Sequence, residues 1–289
     1  MSISLNQLVR RLANQRVYRA GSGSSVSVRR RNIRDLLAGL LRRSLVLHLG
    51  MSEIVHRYRN TVLGPLWMTL SLSVFLTALA IVGGALFELP LREYLPFLCA
   101  GVVIWTFIAA IVNESGQIFI AAPLDVVAYG LPTSVFIYSF LVKQYLLFLH
   151  NLLIFVILAL IFEVSFYLTI HWFIAGLIIY LPFCIGMSIL MSIISIRYRD
   201  LPEMVASILQ VLFFATPVMW KPELLIARGR EYVLDWNPLY YMIEVLRLPL
   251  MGHEIPVKIL IVASVISLSI FFLGILVFAN YRHRISYYR

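Results

Sequence analysis

Few residues in this chain stand at spacings that do chemistry. Its three lysines are Lys143, Lys221 and Lys258, and none precedes Ser or Thr. The phosphate-cradling G-x-x-x-x-G-K-[ST] loop is therefore missing, and with it an ATP site of that type. The four aspartates, Asp35, Asp125, Asp200 and Asp235, stand far apart. That removes the D-x-D metal site used by many sugar-nucleotide enzymes. His253-Glu254 has no second histidine one turn on, and no G-x-S-x-G nucleophile turn occurs. Cys99 and Cys184 fall within apolar runs and read as packing residues, not as a metal pair or a disulfide. The residues thus point to no catalytic centre, no metal and no cofactor on this chain. What they offer instead is pairing and stacking. Glu244 and Arg247, three apart, can pair on one helix face. Aromatic side chains (18 Phe, 15 Tyr, 5 Trp) can stack on flat apolar faces such as sugar rings.

The elements that position these residues are set by the bilayer. The chain has 289 residues, 61% of them hydrophobic, and a mean hydropathy of +0.90. A soluble domain is nearer half apolar. A crossing helix needs about 20 apolar residues. Segments 66–87, 94–112, 139–162, 172–196 and 257–279 meet or approach that length, and 204–220 is a shorter sixth. The alternation of a membrane β-barrel is missing. The fold class is an all-α integral membrane protein with six transmembrane helices, an N-terminal amphipathic interface helix, and outer re-entrant helices between spans five and six.

Charge orients the bundle. Residues 1–60 carry twelve arginines against Asp35 and Glu53. With the N-terminus inside, Lys143, Arg197, Arg199, Arg282, Arg284 and Arg289 also lie inside, which places 18 of 24 basic residues there. Both termini are then expected in the cytoplasm. Beside six spans, the basic arm reads as attracted to anionic lipid rather than to nucleic acid. Its first 34 residues, rich in Arg and Ser and free of acids, fit a disordered arm or an organellar transit peptide. No apolar core of a signal peptide is visible.

Along the chain, 1–32 reads as a basic flexible arm whose 20–32 stretch is a linker, 33–63 as an amphipathic cytoplasmic interface region, and 64–289 as the transmembrane domain. Ile33, Leu36, Leu37, Leu40, Leu41 and Leu45 recur at helical spacing, with Arg34, Asp35, Arg42 and Arg43 on the other face. A second helix is expected from Ser52. Gly64-Pro65 turns into the first span and Trp67 anchors it at the interface. The loop 113–132 is expected inside, as short helices parallel to the membrane and a docking surface. Pro217 and Pro222 interrupt the fifth span. Asn237-Pro238 starts a half-helix to about Leu250, about 20 Å long and too short to cross. The region 222–251 is expected to be re-entrant, with Trp220, Asn237, Tyr240, Tyr241, Glu244 and Arg247 as outer-gate candidates. His150, beside Asn151, reads as a packing residue. Ser71, Ser73, Thr77, Gln144, Asn151 and Gln210 suit either a hydrated lining or helix–helix hydrogen bonds.

Four motifs in this order resemble the transmembrane subunit of ABC-2-type polysaccharide exporters, the family of O-antigen, capsule and teichoic acid permeases. Residues 57–67, RYRNTVLGPLW, resemble the family's approach to its first span. Arg197-Tyr198-Arg199-Asp200 resembles the connector between spans four and five. TPVMW at 216–220 and Asn237-Pro238-Leu239 resemble the end of span five and the start of an outer re-entrant helix. The segment YGLPTSV at 129–135 departs from the basic stretch ending in Phe-Pro that the family more often shows. The resemblance implies a homodimer in the bacterial inner membrane, with a central channel for a lipid-linked glycan. It also implies two copies of a separate ATP-binding subunit that carries ATP and Mg. ATPase-coupling candidates are then Arg42, Arg43, Arg57, Arg59, Glu114, Asp125, Arg197 and Asp200. Glycan-channel candidates are Trp67, Phe75, Trp105, Phe107, Tyr145, Phe148 and Phe214, each equally suited to core or lipid-facing packing. A small-molecule or drug permease of the same type, a glycan-synthesis component and a passive scaffold are the other readings. Missing D-x-D and clustered carboxylates weigh against synthesis.

Overall fold

The computed structural model describes residues 25–59, 61–64, 66–122 and 131–285, and every regular element among them is helical. Among the described residues, nine helices of 13 residues or more carry the fold: α1 Ser25–Leu41, α2 Arg43–Tyr58, α3 Leu66–Phe87, α4 Leu91–Glu114, α5 Ser134–Ile161, α6 Ile170–Arg197, α7 Leu201–Ala215, α8 Pro238–Leu250 and α9 Val257–Tyr281. Among the described residues, five helical stretches are long and apolar enough to cross a membrane: Leu66–Phe87, Leu91–Ala121, Ser134–Ile161, Phe166–Arg197 and Val257–Tyr281.

Four sequence expectations are corrected. Helix α1 begins by Ser25, inside the stretch expected to be a linker. The second interface helix starts at Arg43 rather than Ser52, after a break at Arg42 (φ −90°, ψ 45°). Within the loop expected at 113–132, residues 115–121 instead extend α4 through a 3-10 turn and one α turn; residues 123–130, Asp125 among them, lie outside the described residues. The expected span at 204–220 is a helix of only 15 residues, about 22 Å long. It stops at Ala215 because Thr216 precedes Pro217. Proline disfavours helical backbone in the residue before it, and Thr216 is extended (φ −99°, ψ 143°).

Short turns join the spans. Glu88 (φ 54°) and Glu163 (φ 60°) end α3 and α5 in the left-handed region. Val164 N–H then reaches back to Ala159 O at 2.9 Å, which closes the last turn of α5. These turns and residues 216–256 form one end of the bundle, strapped by Arg92–Glu163 at 2.7 Å and Lys221–Glu93 at 3.5 Å. The other end gathers α1, α2, the start of α5 and the end of α9.

The most extensive helix pairing is α6 on α9. Pro182 has no N–H and breaks the helical ladder of α6. The hydroxyl of Ser267, on α9, fills the gap: Phe183 N–H donates to Ser267 Oγ at 3.0 Å, and that hydroxyl donates to Ile179 O. Close by, a Cβ on Gly274 would sit 2.7 Å from Gly186 Cα, so only glycine permits this backbone approach. Of these five spans, the one begun by α4 is the most enclosed and α3 the least.

Candidate functional site

Helix α2 lays two charges, Glu53 and Arg57, against the bundle one turn apart. Lys143 on α5 lies 3.3 Å from a Glu53 oxygen and 3.2 Å from a Glu114 oxygen at the end of α4. Arg57 approaches Glu114 at 3.5 Å, and Gln144 donates to Glu114 at 2.8 Å. The Lys143 side chain is only 10% exposed, and its ammonium lies 4.9 Å from the Phe140 ring centre. A charge that far from water needs its carboxylates. Two coupling candidates, Arg57 and Glu114, are thus brought together, while Glu53 and Lys143 join them unforeseen.

A second fastening holds α1. Asp35 is buried and accepts from Ser134 N–H at 3.0 Å, Thr133 N–H at 3.1 Å and Thr133 Oγ1 at 3.1 Å, and it pairs with Arg282. A remote carboxylate therefore caps the N-terminus of α5, where free N–H groups and the helix dipole favour a negative charge. Asn32 donates to Ala279 O at 2.8 Å, beside it. Leu37, Leu40 and Leu41 point outward from α1 instead, as an interface helix would direct them. Arg42, Arg43, Arg59, Arg197 and Asp200 are exposed at this end, and the Arg197 guanidinium lies 5.3 Å from the Tyr198 ring centre.

Two cavities flank the charge cluster. One, of about 390 Å³, runs between α2 and the start of α5, with Glu53, Glu114 and Lys143 at its rim. The other, of about 340 Å³, opens between α3, α4 and α5 and is lined by Arg57, Ser71, Phe107, Glu114, Gln144, Phe148 and Asn151. The Asn151 carbonyl oxygen is buried there without a partner. Neighbouring His150 bonds Thr69 Oγ1 at 2.7 Å, a link between α5 and α3.

The aromatic candidates divide. Phe107 lies 4.6 Å from Phe148 and 5.1 Å from Tyr145, ring centre to ring centre, inside the bundle. Trp105 packs separately on Phe213 at 5.6 Å. Trp67, Phe75 and Phe214 lie on the outer surface of the chain. As packed here, no single wall unites all seven.

At the opposite end, α8 is buried among α4, α6 and α9 rather than lying on the surface. Asn237 caps it, accepting from Leu239 N–H at 3.0 Å, while its amide donates to Thr216 Oγ1 at 3.0 Å and ties α8 to the end of α7. Glu244 and Arg247 pair in the interior. Arg247 also donates to Pro217 O at 2.6 Å and lies 4.1 Å from the Phe97 ring centre. Phe97, Tyr240, Glu244 and Arg247 line a cavity of about 1020 Å³ at this end. Tyr241 donates to Asp235 at 3.0 Å. A hydrogen bond from Lys258 holds the Asp235 carboxyl below the usual carboxylate range. Trp220 donates to Phe214 O at 3.0 Å.

The resemblance seen in the motifs extends over most of the chain. It is similar to an O-antigen export system permease protein RfbA of Klebsiella pneumoniae, 26% identical over 204 residues, which is 69% of this chain and 77% of the relative. A second permease of that name and organism is 24% identical over 249 residues, 84% and 93% of the two chains. One from Myxococcus xanthus is 24% identical over 229 residues, 74% and 83%. No family model matches the chain.

Proposed function

We propose that this chain is the channel-forming half of an ATP-driven exporter. In this reading it moves a lipid-linked polysaccharide, of the O-antigen kind, out of the cytoplasm across a bacterial inner membrane. The observation that carries the reading is similarity to O-antigen export permeases, over 84% of this chain and 93% of the relative in one case. Five spanning helices and a sequence without a phosphate-binding loop agree with it. The chain then pairs with a second copy of itself and with two ATP-binding subunits, which supply ATP, Mg and hydrolysis. Helices α1 and α2 lie at the cytoplasmic surface with both termini. Helix α7 and the 216–250 segment together fill the sixth crossing, with α8 as the re-entrant element.

The test is reconstitution with the ATP-binding partner in vesicles loaded from one side with lipid-linked glycan. ATP-dependent appearance of glycan on the far side is expected. Failure of the two proteins to co-purify, or glycan that stays on its own side while ATP is hydrolysed, contradicts the proposal.

A further inference from the structure

We propose that Glu53, Arg57, Glu114 and Lys143 form a reciprocal charge lock that fixes the register of α2 along the bundle. A push on α2 then carries α4 and α5 with it instead of sliding past them. Helices α2 and α5 run side by side in the same direction. Gly50 meets Ser139 and Val142 (a Cβ there would sit 2.7 Å from Ser139 O), and one turn on Glu53 meets Lys143. Helix α2 thus presents minus then plus, and the bundle answers with plus and minus.

The order makes the lock directional in both senses. Glu53 and Arg57 are four residues apart, so a slip of one turn moves α2 by about 6 Å. In one direction Arg57 takes the place of Glu53 and faces Lys143. In the other, Glu53 takes the place of Arg57 and faces Glu114. Either slip sets like charges together beside a lysine that is 10% exposed and has lost most of its water. Isolated surface ion pairs hold little, but this group shares one buried cation between two carboxylates from different elements. Glu53 and Lys143 are therefore positioning residues. Their part in transport rests on the ATP-driven reading above; the lock itself does not.

The test inverts the charges in halves. E53K/R57E inverts α2, E114K/K143E inverts the bundle, and the fourfold variant restores every pair with opposite sign. Each is assembled with the ATP-binding subunit, and glycan moved per ATP hydrolysed is measured with thermal stability. Each half-inversion is expected to lower transport per ATP roughly tenfold while hydrolysis continues, and the fourfold variant to recover to within about threefold of the parent. Half-inversions that transport like the parent overturn the lock. So does a fourfold variant that assembles but stays as defective as its halves. Should the inverted chains fail to insert, Glu53→Gln decides, since it removes one partner of Lys143 without adding a charge. Lowered transport per ATP then supports the lock and an unchanged ratio overturns it. A parent complex without ATP-dependent transport overturns the transport reading alone; recovery of melting temperature in the fourfold variant still reads the lock.

Discussion

Both carboxylate oxygens of Asp35 are committed to the start of α5 and to Arg282. Asp35→Ala leaves two buried backbone N–H groups without an acceptor and takes the carboxylate from the Arg282 guanidinium. A loss of about 1.5–3 kcal/mol is expected, read as a lower melting temperature in detergent, with a smaller loss for Asp35→Asn, which keeps one acceptor. The Glu244–Arg247 pair behaves differently. Arg247→Met alone strands a buried carboxylate and is expected to cost about 3–5 kcal/mol. The double change Glu244→Leu/Arg247→Met is expected to recover most of that stability, and an additive loss would contradict the pairing. Helical spacing made Glu244 and Arg247 legible as a pair because both lie on one element. The same spacing put Asp35 on the polar face of α1 but could not supply its partners, which lie about 100 and 250 positions away.

Elements were legible wherever an apolar run matched the bilayer. Their ends were not, because α4, α5 and α6 continue past the apolar stretch into charged and aromatic turns that packing keeps helical. Helix α1 extends into a Ser-rich stretch for a similar reason: Asn32 and Asp35 anchor it to α9 and α5, and tertiary contact overrides weak local preference. The proline in α6 is visible in the sequence, but its repair by Ser267 is not, since the serine lies on another helix. Ser267→Ala reopens that gap and leaves a buried N–H and a carbonyl unpaired. A destabilisation of about 1–3 kcal/mol is expected, and Ser267→Thr, which retains the hydroxyl, serves as the control in the same melting assay. An alanine variant as stable as the parent would show that α6 closes its own ladder.

At the largest scale, the two ends of the bundle are built differently. One holds α1, α2 and the Glu53–Arg57–Glu114–Lys143 cluster; the other holds the buried half-helix α8 and a cavity of about 1020 Å³. The chain's poverty in catalytic and phosphate-binding spacings was readable from residue types alone, as was the resemblance to polysaccharide export permeases. Which aromatics line a pathway was not readable, because that depends on how faces meet. Trp67, Phe75 and Phe214 face outward, while Phe107, Tyr145 and Phe148 pack within one chain. Central to the proposed exporter is a coupling in which force generated on a partner subunit enters at α2 and moves glycan across the membrane. Its most direct measurement is glycan transported per ATP hydrolysed by the reconstituted complex. Transport is expected to require ATP, to fall roughly tenfold when α2 alone is charge-inverted and to return when the bundle is inverted with it. Transport that proceeds without ATP, or that ignores the inversion of α2, would contradict it.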